Sequence, residues 1–311
     1  MMTNGVDRVG RWVSRPVAVA TTITLLLSLA VSLQVVREQR YPSFTPDTQV
    51  LYVPSAGVLD RMALSFDSVL ADLYWIRALQ HYGGTRRTSG DRKGYELLYP
   101  LLDITTSLDP RFNIAYRFGA IFLTESYPDG PGRPDQAVAL LQKGARQMPA
   151  RWEYLMDIGF IHYWWLHDYE EAARWFLRAS EIPGASWWLR SLAANTLELG
   201  GNRDASRVLW QQIQDTADDQ WRRDESLRRL RQLDALDTID QLTIEAEQFA
   251  ALMGRWPETW QDLVDAGRLS QPPLDSFEYP FVLDSGARLV GVSAQSPLWP
   301  LPDEPPGMSP Q

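Results

Sequence analysis

Two hydrophobic rhythms divide the chain. Residues 16–36, PVAVATTITLLLSLAVSLQVV, run for 21 positions without a charge. Beyond residue 65 the apolar positions fall into shorter, helix-like runs broken by Gly, Pro and Asp. As a helix the first stretch spans about 30 Å, the thickness of a bilayer's hydrocarbon core. Arg8, Arg11 and Arg15 precede it, and Arg37, Glu38 and Arg40 follow, so the positive-inside bias favours a cytoplasmic N-terminus by a small margin. The pattern predicts a cytoplasmic segment 1–15, an uncleaved transmembrane helix 16–36 with the lipid bilayer as its partner, and a linker 37–64. A bacterial inner-membrane protein with its bulk in the periplasm is the matching expectation. Ala30-Val31-Ser32 offers a signal-peptide cleavage site as the alternative, but the apolar run continues past it.

The middle of the chain repeats. Ala137, Ala172 and Ala205 are 35 and 33 residues apart, Gly159 and Ala193 are 34 apart, and Pro110, Pro149 and Pro183 are 39 and 34 apart. Periods of this length belong to stacked helical hairpins. Gly119, Gly159 and Ala193 supply a small residue where paired helices cross closely. Ala137 with Leu141, Ala172 with Phe176 and Ala205 with Leu209 place a small and a large residue four apart on one face of the second helix. Proline then ends each unit.

These landmarks resemble the tetratricopeptide repeat family over about residues 65–215. The best unit is WEYLMDIGFIHYWWLHDYEEAARWFLRASEIP, residues 152–183, with the inter-helix turn Asp168-Tyr169-Glu170-Glu171-Ala172. It departs from the family by one extra residue between Gly159 and Asp168. The preceding unit carries six extra residues in SYPDGPGRP, and a degenerate first unit has an insertion around GGTRRTSGDRKG. The resemblance implies a curved array whose inner face comes from the first helix of each unit. Carried onto this chain, that face includes Asn113, Tyr116, Tyr163, Trp164, Trp187 and Arg190, a groove with aromatic anchors for a partner segment. Ordinary packing between repeats is the competing reading for each of them.

Residues 216–253 read as one or two capping helices, and residues 254–293 as a small α+β module. In the module Pro257-Glu258 starts a helix, Gly267 ends it, and YPFVLD pairs with ARLVGVS across Ser285-Gly286. Gly254, Trp256-Pro257, Leu263, Gly267, Leu269, Asp275, Phe277 and Pro280-Phe281 resemble the C-terminal part of type II secretion major pseudopilins. Ser276 and Glu278 depart from that family, no prepilin site precedes the apolar helix, and no calcium site is carried over. The Pro-rich segment 294–311 reads as a loose tail. The expected fold class is therefore an all-α helical-repeat solenoid with an N-terminal transmembrane helix and a small C-terminal helix-plus-β-hairpin module.

Composition narrows the chemistry. A net charge of −9 argues against a nucleic-acid partner. The absence of Cys excludes thiolate metal sites and a Cys nucleophile. His81, His162 and His167 form no metal-ligand pattern, and no phosphate loop, dinucleotide fingerprint or nucleophile elbow occurs. The expectation is a protein-binding scaffold of an envelope machine of secretion, pilus or export type, not an enzyme, with no cofactor and other envelope or membrane proteins as partners. The 13 Trp keep open a second reading, a glycan- or peptide-binding module, for which sugar stacking requires exposed parallel rings beside polar groups. A structural subunit of a membrane complex is the third.

Overall fold

A computed structural model describes residues 10–40, 66–88 and 93–302. Two compact units divide the chain at residues 53 and 54. The first contains α1 (Gly10–Arg40), which covers the apolar run. Among the described residues, no helix is long and apolar enough to cross a membrane. Thr21, Thr22, Thr24, Ser28 and Ser32 interrupt the described part of α1, and Ser32 Oγ turns back to donate to the Ser28 carbonyl at 2.7 Å. This corrects the transmembrane helix expected at 16–36, and with it the inner-membrane placement, the cytoplasmic and periplasmic sides and the bilayer as partner. Residues 10–15 belong to α1, and the expected linker, apart from its first four residues in α1, lies outside the described residues.

The second unit is mostly helical. In chain order it contains α2 (Asp67–Arg87), α3 (Leu98–Leu108), α4 (Asn113–Thr124), α5 (Pro134–Gln147), α6 (Trp152–Ile161), α7 (Tyr169–Ser180), α8 (Trp188–Leu199), α9 (Arg203–Thr216), α10 (Gln220–Met253) and α11 (Trp260–Asp265). Each helix from α2 to α10 packs on the next, and α3 with α5 and α4 with α6 also touch. That is the neighbour pattern of stacked helical hairpins.

The small-residue landmarks explain the close crossings. A Cβ on Gly159 would sit 2.5 Å from the Phe176 ring, and one on Gly119 would sit 2.9 Å from Leu102 and 3.1 Å from Leu140. Ala193 occupies the third such position and is fully buried. The alanines Ala137 and Ala172 are buried with their large partners Leu141 and Phe176. Helix starts follow their turn residues: Asp168 accepts from the Glu171 N–H at 3.0 Å, and Asn202 from the Ala205 N–H at 3.1 Å.

Of the three insertions, the one around GGTRRTSGDRKG is not confined to a loop, since its first five residues belong to α2. The extra residues of SYPDGPGRP form the loop between α4 and α5, closed by the Gly132 N–H on the Glu125 carbonyl. The single extra residue after Gly159 becomes a π-helical turn, His162–Leu166, whose wider loop is closed by the His167 N–H on the His162 carbonyl. His167 leaves the turn in the left-handed region at φ 50°.

The C-terminal part differs from expectation in its tail. The segment 216–253 contains one long helix, α10, which ends at Gly254 with φ 72°. It packs on α9 and also contributes Ala235, Leu242 and Phe249 to the core of the module, beside Trp260, Leu263, Phe281 and Val292. The expected hairpin is present as β1 (Val282–Asp284) and β2 (Leu289–Gly291), with Leu283 opposite Val290. The loose tail is corrected for residues 296–301. Leu298 is fully buried in the module core, and Gln232 Nε2 on α10 donates to the carbonyls of Leu298 and Pro300 at 2.8 and 2.9 Å. An unbranched amide on a buried helix face thus holds a segment that composition alone marks as unstructured.

Candidate functional site

An apolar groove lies between α4 and α6, the first helices of two successive hairpins. It encloses about 260 Å³. Ile114, Phe118 and Ile121 line one side, Phe160, Trp164 and Trp165 the other. Phe118, Ile121 and Trp164 are exposed although they are large and apolar. The π-helical turn matters here, because it carries Trp164 and Trp165 and sets their direction relative to the rest of α6. Trp164 stacks on Phe160 with centroids 4.6 Å apart and planes at 11°, so the two rings form one stiff wall.

One ion pair bridges the groove. Arg117 on α4 donates through Nε to Asp157 Oδ2 at 2.5 Å and through Nη2 to Asp157 Oδ1 at 2.9 Å, a bidentate fork. Burial pushes the Asp157 carboxyl above the ordinary carboxylate range, against the pull of Arg117, while the hydrogen bonds that Arg117 donates to Asp157 raise Arg117. The pair sits in surroundings that resist charge and holds it through geometry. At the same groove Asn113 Oδ1 is buried without a partner among the described residues.

Of the six residues predicted to face a partner, Asn113 and Trp164 line this groove. Tyr116 does not: it is fully buried, its ring packs on Tyr154 at 5.3 Å and against Gly144, and its hydroxyl donates to the Thr106 carbonyl at 3.2 Å. Three positions after Asn113, it faces the interior of the hairpin, and burial pushes its hydroxyl up to about 12. Tyr163 is half-buried, held edge-on against Tyr169 at 5.4 Å, and lies outside the groove lining. Arg190 is exposed on α8 and lines no described pocket.

Trp187 belongs to a second pocket, of about 190 Å³, between α8, α9 and the start of α10. Trp188, Ser191 and Asn195 come from α8, Trp210 and Ile213 from α9, and Trp221, Arg222 and Glu225 from α10. The exposed rings of Trp187 and Trp221 stand edge to face, 5.8 Å apart at 88°. Arg222 lies 5.8 Å over the Trp187 ring and is anchored on Asp219 at 2.5 Å. The parallel arrangement that sugar stacking requires is absent from that pair.

Sequence reasoning missed Arg117, Phe118, Ile121, Asp157, Phe160 and Trp165. A signal was available for two of them. Arg117 and Asp157 each precede a landmark glycine, Gly119 and Gly159, by two residues. They therefore occupy the same place in consecutive first helices.

Compared with family models, with curated proteins and with solved structures, the chain matches none. These comparisons therefore show neither the tetratricopeptide nor the pseudopilin resemblance. Among the described residues, no group of three or more His, Asp and Glu side chains is placed to hold a metal ion.

Proposed function

We propose that the chain is a protein-interaction scaffold of the tetratricopeptide type, whose α4–α6 groove receives an apolar segment of a partner protein. One observation carries this reading: large side chains, Phe118, Ile121 and Trp164, are left exposed around a preformed apolar cleft. Grooves of this kind, apolar with a few placed polar groups, suit a helix or extended strand inserting two or three anchors. Asn113 supplies an acceptor at one end, and the Arg117–Asp157 fork keeps the two walls at fixed separation. Stiff walls reduce the ordering cost of binding.

The test is selection of peptides from a random displayed library on the full chain, followed by affinity measurement. Trp164→Ala should weaken the selected peptides by about 2 kcal/mol, as expected of a central aromatic anchor. Trp187→Ala, in the other pocket, should leave them unchanged. Peptides that bind Trp164→Ala as well as the native chain, or no enrichment at all, would reject the groove as the binding site.

A further inference from the structure

We propose that α2 associates, parallel and in register, with the α2 of a second copy of this chain. The observation is a stripe formed by Phe66, the residue that caps the first helix of the array, and by three side chains along that helix. Phe66, Val69, Leu73 and Ile76 follow each other at spacings of three, four and three, and all four are between 46% and 66% exposed. The opposite face of the same helix holds Ala71, Tyr74, Ala78 and Tyr82, which are buried against the chain's own core. Among the described residues, the stripe thus points away from the body of the unit.

The spacing is that of a coiled-coil seam: in heptad notation Phe66 and Leu73 take position a, Val69 and Ile76 position d. The flanking charges decide the occupant and its direction. Asp72 falls at position g and Arg77 at the following e, five residues on. In a parallel pair, g of one helix meets the next e of its partner, so Asp72 of each copy faces Arg77 of the other. An antiparallel pair sets g against g and e against e, which would bring acid towards acid. Both side chains are exposed, and neither forms an ion pair among the described residues; the Arg77 guanidinium only lies over the Tyr74 ring of its own helix, at 5.3 Å. The surface therefore complements itself in one orientation. Leu at a with Ile at d also accommodates more than two copies, so the measured stoichiometry is two or more. This inference is independent of the α4–α6 groove.

Sedimentation of the full chain over a range of concentrations tests it. The native chain should self-associate, and Leu73→Glu should leave only monomer with unchanged helicity. Asp72→Arg and Arg77→Asp should each weaken association about tenfold, since each replaces attraction by repulsion at symmetry-related sites. An equimolar mixture of these two variants should regain the native association, because each supplies the charge the other lacks. The chain has no Cys, so Val69→Cys gives a single possible disulfide, between the same residue of two copies, which only the parallel register brings together. A monomer at every concentration, association untouched by Leu73→Glu, or charge variants that associate as the native chain does would overturn the proposal.

Discussion

The α4–α6 groove and the α8–α10 pocket differ in their walls and in chemistry. The groove opens between two first helices, α4 and α6, whereas the pocket is walled by the first helix α8, its hairpin partner α9 and the start of α10. In the groove an arginine–carboxylate fork crosses from one helix to the next, and the exposed Trp164 ring, carried on a π-helical turn, stacks on the half-buried Phe160. In the pocket the corresponding residue, two before Ala193, is Ser191, no such fork spans the walls, and the exposed rings meet edge to face. The comparison teaches that the repeat fixes where a cleft occurs, and single side chains at one repeated position decide what kind of cleft it is.

The scaffold itself can be broken to test this. Gly159→Ala places a methyl 2.5 Å from the Phe176 ring, and overpacking of this kind should cost about 1–3 kcal/mol by denaturant unfolding. Because Gly159 lies on α6, selected peptides should weaken along with stability. If unfolding is unchanged, the close crossing is not what shapes the groove.

Arg117→Ala should be the next largest change, about 1–2 kcal/mol at pH 7, because it leaves the mostly buried Asp157 carboxylate unpaired. Arg222→Ala, at the exposed pair of the second pocket, should leave the melting temperature where it is. Equal effects from the two would erase the distinction between a bridging and a decorative ion pair.

Acid sharpens the contrast, since the two carboxyls shift in opposite directions. Asp157 is raised by burial, so its contribution is present below the unfolded value and is lost as pH rises through the folded one. In Arg117→Ala the unpaired carboxyl protonates readily, and the variant's deficit should shrink as pH falls towards 4. Asp219 is lowered, first by the Arg222 backbone N–H, so its contribution is present above 3.8 and fades as pH falls through the folded value. The difference between Asp219→Asn and the native chain should therefore close on acidification from the other side. Melting curves between pH 7 and pH 3 read both.

A small effect on stability, and the most specific effect on binding, belongs to the π-helical turn. Deleting Leu166 should restore a regular turn, leave the melting temperature nearly unchanged and abolish peptide capture at Trp164. Retained capture would mean that the extra residue is an accident of the loop and not the device that sets the ring.

Much of the array was legible because tight crossings demand small residues: Gly119, Gly159 and Ala193 mark them in the sequence, and they are where the helices meet. The extra residue after Gly159 was legible as a departure, but not as a π-helical turn, since length alone does not say how a helix absorbs an insertion. Tyr116 and Trp164 look alike in sequence, both large and both on a first helix. Which one is buried depends on rotation about the helix axis, and the extra residue changes that rotation for Trp164 alone. The apolar run at 16–36 misled because absence of charge was read as sufficient for a span, with the five hydroxyl residues from Thr21 to Ser32 given too little weight. The packed tail was hidden for the opposite reason: six prolines in the last 15 residues describe a stretch that holds no core of its own, yet Leu298 completes the core of its neighbour.

At about 1.5 Å per residue, the 34 residues of α10 make a beam about 50 Å long. Its early turns wall the second pocket through Trp221, Arg222 and Glu225, and its later turns carry Leu242 and Phe249 into the module. Gln232, between them, grips the segment Leu298–Pro300. The two ends therefore have no natural place to be severed: a chain stopped at Thr216 would lose the wall of its Trp pocket, and one stopped at Met253 would bare the apolar side of the beam. Whatever tugs on the last residues before 303 pulls on the same rod that frames Trp187.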